Sequence, residues 1–280
     1  MIDCSRGCPV GFETIRAHAK ALRLPTIAEV AEHTVSIAQR EDWPLEAFLE
    51  HVLTQEMIGR RERRITRLTK AAHLPPGKTL QVFDHSRLPL RLRRQLPQLC
   101  EGEFIDRAEN ILIFGLPGTG KTHLAAALGF EWVQRSYSVL FIPTFKLVDG
   151  LLRAKQDYEL ESELRRLDRF QVVIVDDLGY VQQTREEMEV LFTFLAERYE
   201  RRSVVITSNL AFSSWDQIFK DPLTTAAAID RVVHHSIIVE FGREIKSFRA
   251  EEAARRTGIE RDGATSSVTA GPSTAAQDAA

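Results

Sequence analysis

The stretch that decides the fold is Asn110-Ile-Leu-Ile-Phe-Gly115-Leu116-Pro117-Gly118-Thr119-Gly120-Lys121-Thr122-His123-Leu-Ala125. Four apolar residues run into a glycine, Gly-x-x-x-x-Gly-Lys-Thr follows, and Leu124-Ala-Ala-Ala-Leu128 suits a helix. The order reads as buried strand, phosphate-binding loop and helix. Glycines at 115, 118 and 120 let backbone N–H groups turn inward around β- and γ-phosphates, where a Cβ would block the approach. Lys121 adds a point charge to the same oxygens. The Thr122 hydroxyl suits a Mg2+ ligand, and the helix N-terminus favours the anion. The loop from Gly115 to His123 is therefore the expected ATP site.

Outward from this loop, 280 residues with 44% apolar content are enough for one α/β domain and a smaller companion. No run of about 18 apolar residues occurs and the first residues lack a signal-peptide pattern, so the expectation is a cytoplasmic protein without membrane attachment. Three cysteines, Cys4, Cys8 and Cys100, point to reduced thiols rather than a disulfide framework.

Gly7, Pro9 and Gly11 suggest a loose start over residues 1–24. Over residues 25–78, Ile27, Val30, Ala31, Val35 and Ile37, then Leu45, Phe48, Leu49, Val52 and Leu53, recur at helical spacing, with Trp43-Pro44 marking a helix start. This predicts a small all-helical N-terminal domain. Leu74-Pro75-Pro76-Gly77-Lys78 ends it, and residues 79–104 read as a connector in which Phe83 packs rather than binds.

Charge is uneven along this part of the chain. Against a net charge of −2 overall, residues 53–97 hold eleven Lys and Arg and only three acids, Glu56, Glu62 and Asp84. Arg60, Arg61, Arg63, Arg64 and Arg67 form a stripe of the kind that neutralises DNA phosphates, and a solvated helix face is the competing reading.

Residues 105–256 read as the nucleotide-binding domain. After the phosphate loop, Ser138-Val-Leu-Phe-Ile-Pro143 is a second buried strand, with helices expected over 144–154 and 159–168. Gln171-Val-Val-Ile-Val-Asp176-Asp177 puts Asp176 at the carboxyl edge of a central strand, where it can hold Mg2+ through water, and Asp177 where it can orient or deprotonate the attacking water. A helix follows over 186–201. Ser203-Val-Val-Ile-Thr-Ser-Asn209 is a fourth strand whose terminal amide can bond both the γ-phosphate and that water. Residues 223–233 look helical, Ser236-Ile-Ile-Val-Glu-Phe241 is the fifth strand, and 257–280 dissolve into Gly, Ser, Thr, Ala and Pro as a disordered tail. Short apolar strands separated by helices imply a five-stranded parallel sheet covered on both faces.

The segments Glu109 to Ala125, Asp176-Asp-Leu-Gly-Tyr180, Thr207-Ser-Asn209, Ala228-Ile-Asp-Arg-Val-Val-His-His235 and Ser247-Phe-Arg249, in this order, resemble the IstB family. These are AAA+ ATPases related to the DnaC helicase loader and encoded beside transposases in insertion sequences. The resemblance implies an ATP- and Mg2+-dependent ATPase that forms a homo-oligomer on double-stranded DNA, deforms it and recruits a cognate transposase. It implies that Arg231 is an arginine finger reaching a neighbouring subunit, that Arg249 is a second sensor arginine, and that Lys146, Arg153 and Lys155 join the N-terminal arginines in contacting DNA. Asp177 stands where many AAA+ proteins carry Glu. A DnaC-like helicase loader and a small-molecule phosphotransferase are the alternatives, the second lacking an arginine-rich lid after the third strand.

Overall fold

The computed structural model describes residues 11–179, 184–210 and 232–242. In chain order the helices and strands are α1 (Phe12–Ala21), α2 (Pro25–Arg40), α3 (Leu45–Ala72), α4 (Leu90–Glu101), α5 (Glu103–Asp106), β1 (Asn110–Phe114), α6 (Lys121–Gln134), β2 (Val139–Pro143), α7 (Thr144–Gln156), α8 (Leu160–Asp168), β3 (Val172–Leu178), α9 (Arg185–Arg198), β4 (Ser203–Ser208) and β5 (Ser236–Glu240). The helix expected over 223–233 lies almost wholly outside the described residues, as do Arg231, Arg249 and the tail.

The strands form one parallel sheet in the order β2-β3-β4-β1-β5. Side chains alternate across it with the two-residue period of a strand. Ile111, Ile113, Ile174 and Val205 face a layer built from α6, α4 and the end of α3. Leu112, Phe114, Val173, Val175 and Ile206 face α7, α8 and α9. Burial on both faces is why β1, β3 and β4 are continuous apolar runs rather than alternating ones, whereas β5 at the sheet edge leaves Ile238 exposed. Thr184 starts α9 with a reciprocal cap, its hydroxyl accepting from Glu187 N while the Glu187 carboxylate accepts from Thr184 N.

Two expectations change. The loose start over 1–24 is corrected over part of its length, because Phe12–Ala21 form α1. Ala19 buries against the neighbouring helix layer, and Arg16 pairs with Glu13 at 2.9 Å and with Glu32 of α2 at 2.6 Å. The breakers at 7, 9 and 11 precede this helix rather than interrupt it. The stretch 79–104 also does more than connect. Leu92, Leu96 and Leu99 of α4 are buried in the same core as α6, and Trp132 Nε1 donates to Leu99 O at 2.8 Å.

The helical part is fastened by one buried carboxylate. Glu56 of α3 accepts from the backbone N–H groups of Thr26 (2.9 Å) and Ile27 (3.2 Å), donors that the first turn of α2 leaves without helical partners. It also accepts from Arg60 Nε at 3.0 Å and from Arg63 at 3.1 Å. Burial opposes its charge, but the amides of Ile27 and Thr26 and the Arg60 guanidinium outweigh it and hold the carboxyl below its ordinary range. Gly59 sits beside this junction because α2 comes close, and a Cβ there would fall 2.2 Å from Thr26 Oγ1. The apolar positions of α3 divide: Val52 is buried, whereas Leu45, Leu49 and Leu53 are exposed in the monomer.

Candidate functional site

The strand order brings the site together. With β4 lying between β3 and β1, its carboxyl end falls between the loop that follows β1 and the two aspartates that end β3. The loop turns through positive φ at Gly115 (155°), Gly118 (81°) and Gly120 (104°), and a Cβ on Gly115 would come within 2.7 Å of Phe241 Cβ. Thr119 tightens it by donating from Oγ1 to Leu116 O at 2.9 Å.

Lys121 is 6% exposed at the start of α6. Its Nζ donates to Gly115 O at 2.8 Å, to Leu116 O at 3.0 Å and to Asn209 Oδ1. Asn209 Nδ2 in turn donates to Asp177 Oδ1 at 2.9 Å. The lysine, amide and carboxylate expected to handle the phosphates and the water thus form one hydrogen-bonded chain, although they are up to 88 residues apart in sequence.

Asp176 sits beside this chain. Thr207 Oγ1 donates to its Oδ1 at 2.7 Å. Burial pushes its carboxyl above the usual range, the hydroxyls of Thr207 and Thr122 offset part of that, neighbouring Asp177 adds to it, and Lys78 tempers it. The donors gathered here, a hydroxyl and a carboxylate, are the hard oxygen ligands that Mg2+ takes. The residues present therefore fit the ion, and the loop that Gly115 keeps open fits a polyphosphate.

The β3–β4 register explains why two aspartates can face the loop in succession. Val175 pairs with Ile206 and Leu178 with Ser208, so Asp176 and Asp177 together oppose Thr207. This is a bulge. Asp177 takes φ 65°, and its N–H, out of ladder register, donates to Thr207 Oγ1 at 2.8 Å. One threonine hydroxyl therefore replaces a ladder bond and supports the Asp176 carboxylate at the same time. Sequence reasoning assigned no role to Thr207 or to Lys78; for Thr207 the signal was a hydroxyl two residues before the strand-end amide. Phe83 packs as expected, its ring 5.1 Å from that of His123 and beside Gly120. His123 Nε2 meets Thr79 O at 3.0 Å, which ties the connector to the first turn of α6.

The expected DNA contacts are more divided. Arg60 and Arg63 are engaged with Glu56, and Arg64 reaches Ser136 O at 3.2 Å. Arg153 pairs with Asp149 at 3.0 Å and Lys155 with Glu189 at 2.9 Å. Arg61, Arg67 and Lys70 are exposed with no ion-pair partner among the described residues, and Arg67 and Lys70 line a shallow surface on α3 together with Glu62 and Arg63. Lys146 is exposed beside the Phe145 ring, 6.0 Å from its centroid.

Comparison with known proteins places this geometry in context. Residues 17–255 match the family model described as IstB-like ATP binding protein. The chain is 42% identical over 241 residues to a Sinorhizobium fredii protein named for an insertion sequence and ATP binding, covering 85% of this chain and 80% of that protein. It is 36% identical over 238 residues to a Pseudomonas aeruginosa protein named for ATP binding and insertion sequence IS21, covering 85% and 89%. Among solved structures, the DnaC helicase loader aligns with a TM-score of 0.50 at 18% identity, covering 60% of this chain and 98% of that one. DnaI aligns with a TM-score of 0.51 at 21% identity, covering 61% and 96%. Both likenesses concern the fold, which is the AAA+ α/β architecture.

Proposed function

The chain belongs to the family of IstB-like ATP-binding proteins, and from that premise we propose that it is a Mg2+-dependent ATPase that assembles in several copies on duplex DNA and assists a cognate transposase at its target. The observation that carries the enzymatic part is the chain Lys121–Asn209–Asp177 beside Asp176. It joins a phosphate-binding cation, a group able to sense the γ-phosphate and a base in one hydrogen-bonded unit. Insertion-sequence names among the relatives support the transposition setting, and Arg61, Arg67 and Lys70, exposed and without an ion-pair partner among the described residues, support the DNA.

In this reading Lys121 exchanges its three oxygen partners for β- and γ-phosphate oxygens when ATP enters the loop. That releases the Asn209 carboxamide to turn toward the γ-phosphate and the attacking water. Asp177 accepts the water's proton, and attack on phosphorus breaks the bond to the β–γ bridging oxygen, leaving ADP and phosphate. Thr122 and Asp176 would hold Mg2+, which supplies charge neutralisation on the phosphates. Arg231 enters as the finger donated to a neighbouring subunit and Arg249 as the second sensor, which would couple nucleotide to oligomer. Contacts through arginines to phosphates make DNA binding sequence-independent and strongly salt-dependent.

The test is assembly of the purified chain on linear duplex with MgATP or a non-hydrolysable analogue, followed by mass photometry and salt titration. Nucleotide-dependent oligomers on DNA are expected. Arg61→Gln with Arg67→Gln is expected to weaken binding uniformly across sequences and to lower the salt slope by about 2. A chain that stays monomeric and indifferent to duplex with MgATP present would overturn the reading.

A further inference from the structure

Among the described residues, one group of ligating side chains lies away from the phosphate loop: Glu200, His234 and His235, whose ligand atoms all fall within 4.8 Å of one another. We propose that these three form a site for a borderline divalent cation of the Zn2+ type, clamping the turn before β4 to the turn before β5.

The donor chemistry selects the ion. Two imidazoles and one carboxylate suit Zn2+ and its late transition-metal neighbours, whereas Mg2+ takes oxygen ligands and retains water. His235 Nε2 already lies 3.4 Å from Glu200 Oε1, and the two imidazole rings meet edge to face with centroids 4.2 Å apart. Zinc bonds of about 2.0–2.2 Å in a tetrahedron need donors somewhat closer than the widest spacing here. All three side chains are exposed, so rotamer adjustment alone supplies the contraction. Water completes the shell. The Tyr199 hydroxyl, 3.4 Å from His234 Nδ1, is placed to orient that ring from outside, as carboxylates and carbonyls orient metal-bound histidines elsewhere.

The backbone on both sides is already fixed. Asn110 N donates to His235 O at 2.7 Å, Asn110 Nδ2 to Val232 O at 3.2 Å, and Ser236 Oγ to Val233 O at 2.9 Å. Across the gap, the N–H groups of Arg201 and Arg202 donate to Arg198 O at 3.0 and 2.9 Å. Only side chains need to order, which keeps the entropic cost of binding low. The site stands at the amino ends of β4 and β5, whereas the phosphate loop follows the carboxyl end of β1 in the same parallel sheet. It is therefore a structural clamp, separate from any Mg2+ held by Thr122 and Asp176. Joining residues 200 and 234 closes a loop of roughly 34 residues, so an ion bound there stabilises the fold.

The experiment is isothermal titration with ZnCl2, and thermal denaturation with ZnCl2 or MgCl2, on the tag-free full chain carrying Cys4→Ser and Cys8→Ser to remove competing thiols. One Zn2+ per chain and a raised Tm with zinc but not magnesium are expected. His234→Ala with His235→Ala is expected to weaken zinc binding by at least the roughly 10–100-fold that loss of even an outer-shell partner costs, with the metal-free Tm essentially unchanged. Glu200→Gln gives an independent arm if the double variant folds poorly. No binding below about 0.1 mM zinc, or variants that bind as tightly as the parent, would overturn the proposal. ATP hydrolysis and DNA assembly are read separately and bear only on the function proposed above.

Discussion

Replacing Thr207 by Val tests the bulge that presents the two aspartates. The side chain is 1% exposed, and valine matches its shape while deleting the hydroxyl. Two hydrogen bonds disappear together, the 2.7 Å donation to Asp176 Oδ1 and the 2.8 Å acceptance from Asp177 N. A bond to a charged group contributes about 1.5–3 kcal/mol, and an N–H left without a partner costs about 1–3 kcal/mol. Both aspartates keep some solvent access, so the lower ends apply and the expected loss is about 2.5 kcal/mol. For a domain of this size that is a fall in Tm of about 5–10 °C. Differential scanning calorimetry of the nucleotide-free chain reads it directly. Thr207→Ser keeps the hydroxyl and is expected to recover most of the loss. A Val variant that melts within about 1 °C of the parent would refute the claim that this hydroxyl replaces a ladder bond.

Three further outcomes are expected. Because burial raises the Asp176 carboxyl, the folded chain retains a proton that the unfolded chain has released, and stability falls as pH rises through the window between the ordinary and the raised value. Asp176→Asn should remove that decline, leaving the nucleotide-free protein at least as stable at neutral pH while it loses Mg2+-dependent ATP binding, as read by melting curves across pH and by nucleotide titration. Glu56 works in the opposite sense: its carboxyl is held low, so its contribution is present above the ordinary carboxylate range and disappears as pH falls through the lowered value. Glu56→Gln should destabilise the α1–α3 region at neutral pH and flatten its acid sensitivity, read by hydrogen exchange of the Thr26 and Ile27 amides. The Cys100 thiol is pushed up to about 11, first by burial and then by the charge of Glu131. In the native Cys4→Ser, Cys8→Ser chain it should therefore alkylate about a hundredfold more slowly near pH 8 than an ordinary thiol, with mass spectrometry following the rate.

Much of the site was legible because its pieces are local. Gly115 to Gly120 form the loop and Lys121 and Thr122 open the helix directly after it, and Asp176 and Asp177 end an apolar run, so spacing and residue type carried the chemistry without tertiary information. The central strands were legible for a related reason, since burial on both faces leaves an uninterrupted apolar signature in β1, β3 and β4, while β5, at the sheet edge with Ile238 exposed, was legible from its apolar run alone. The fold of residues 12–21 and the packing of α4 were not, because each depends on partners supplied by other elements. For α1 these are Glu32 and the surface of α2, and for α4 the indole of Trp132.

By itself, then, the amino-acid order determined a parallel sheet with a phosphate loop at one strand end and acids at another, and a basic helical region ahead of it. Tertiary structure alone decided which strand separates those ends. Placing β4 between β3 and β1 lets Asn209 bridge Lys121 and Asp177, and lets Thr207 fill a gap in the ladder made by the extra residue at the aspartate pair. It also divided the arginine stripe into Arg60 and Arg63, committed to the buried Glu56, and Arg61 and Arg67, turned to solvent. The physical reason is common to all three. Periodicity and spacing report what neighbours along a chain share, whereas a buried carboxylate, an out-of-register N–H and a desolvated ammonium take their partners from whatever folding brings within about 3 Å.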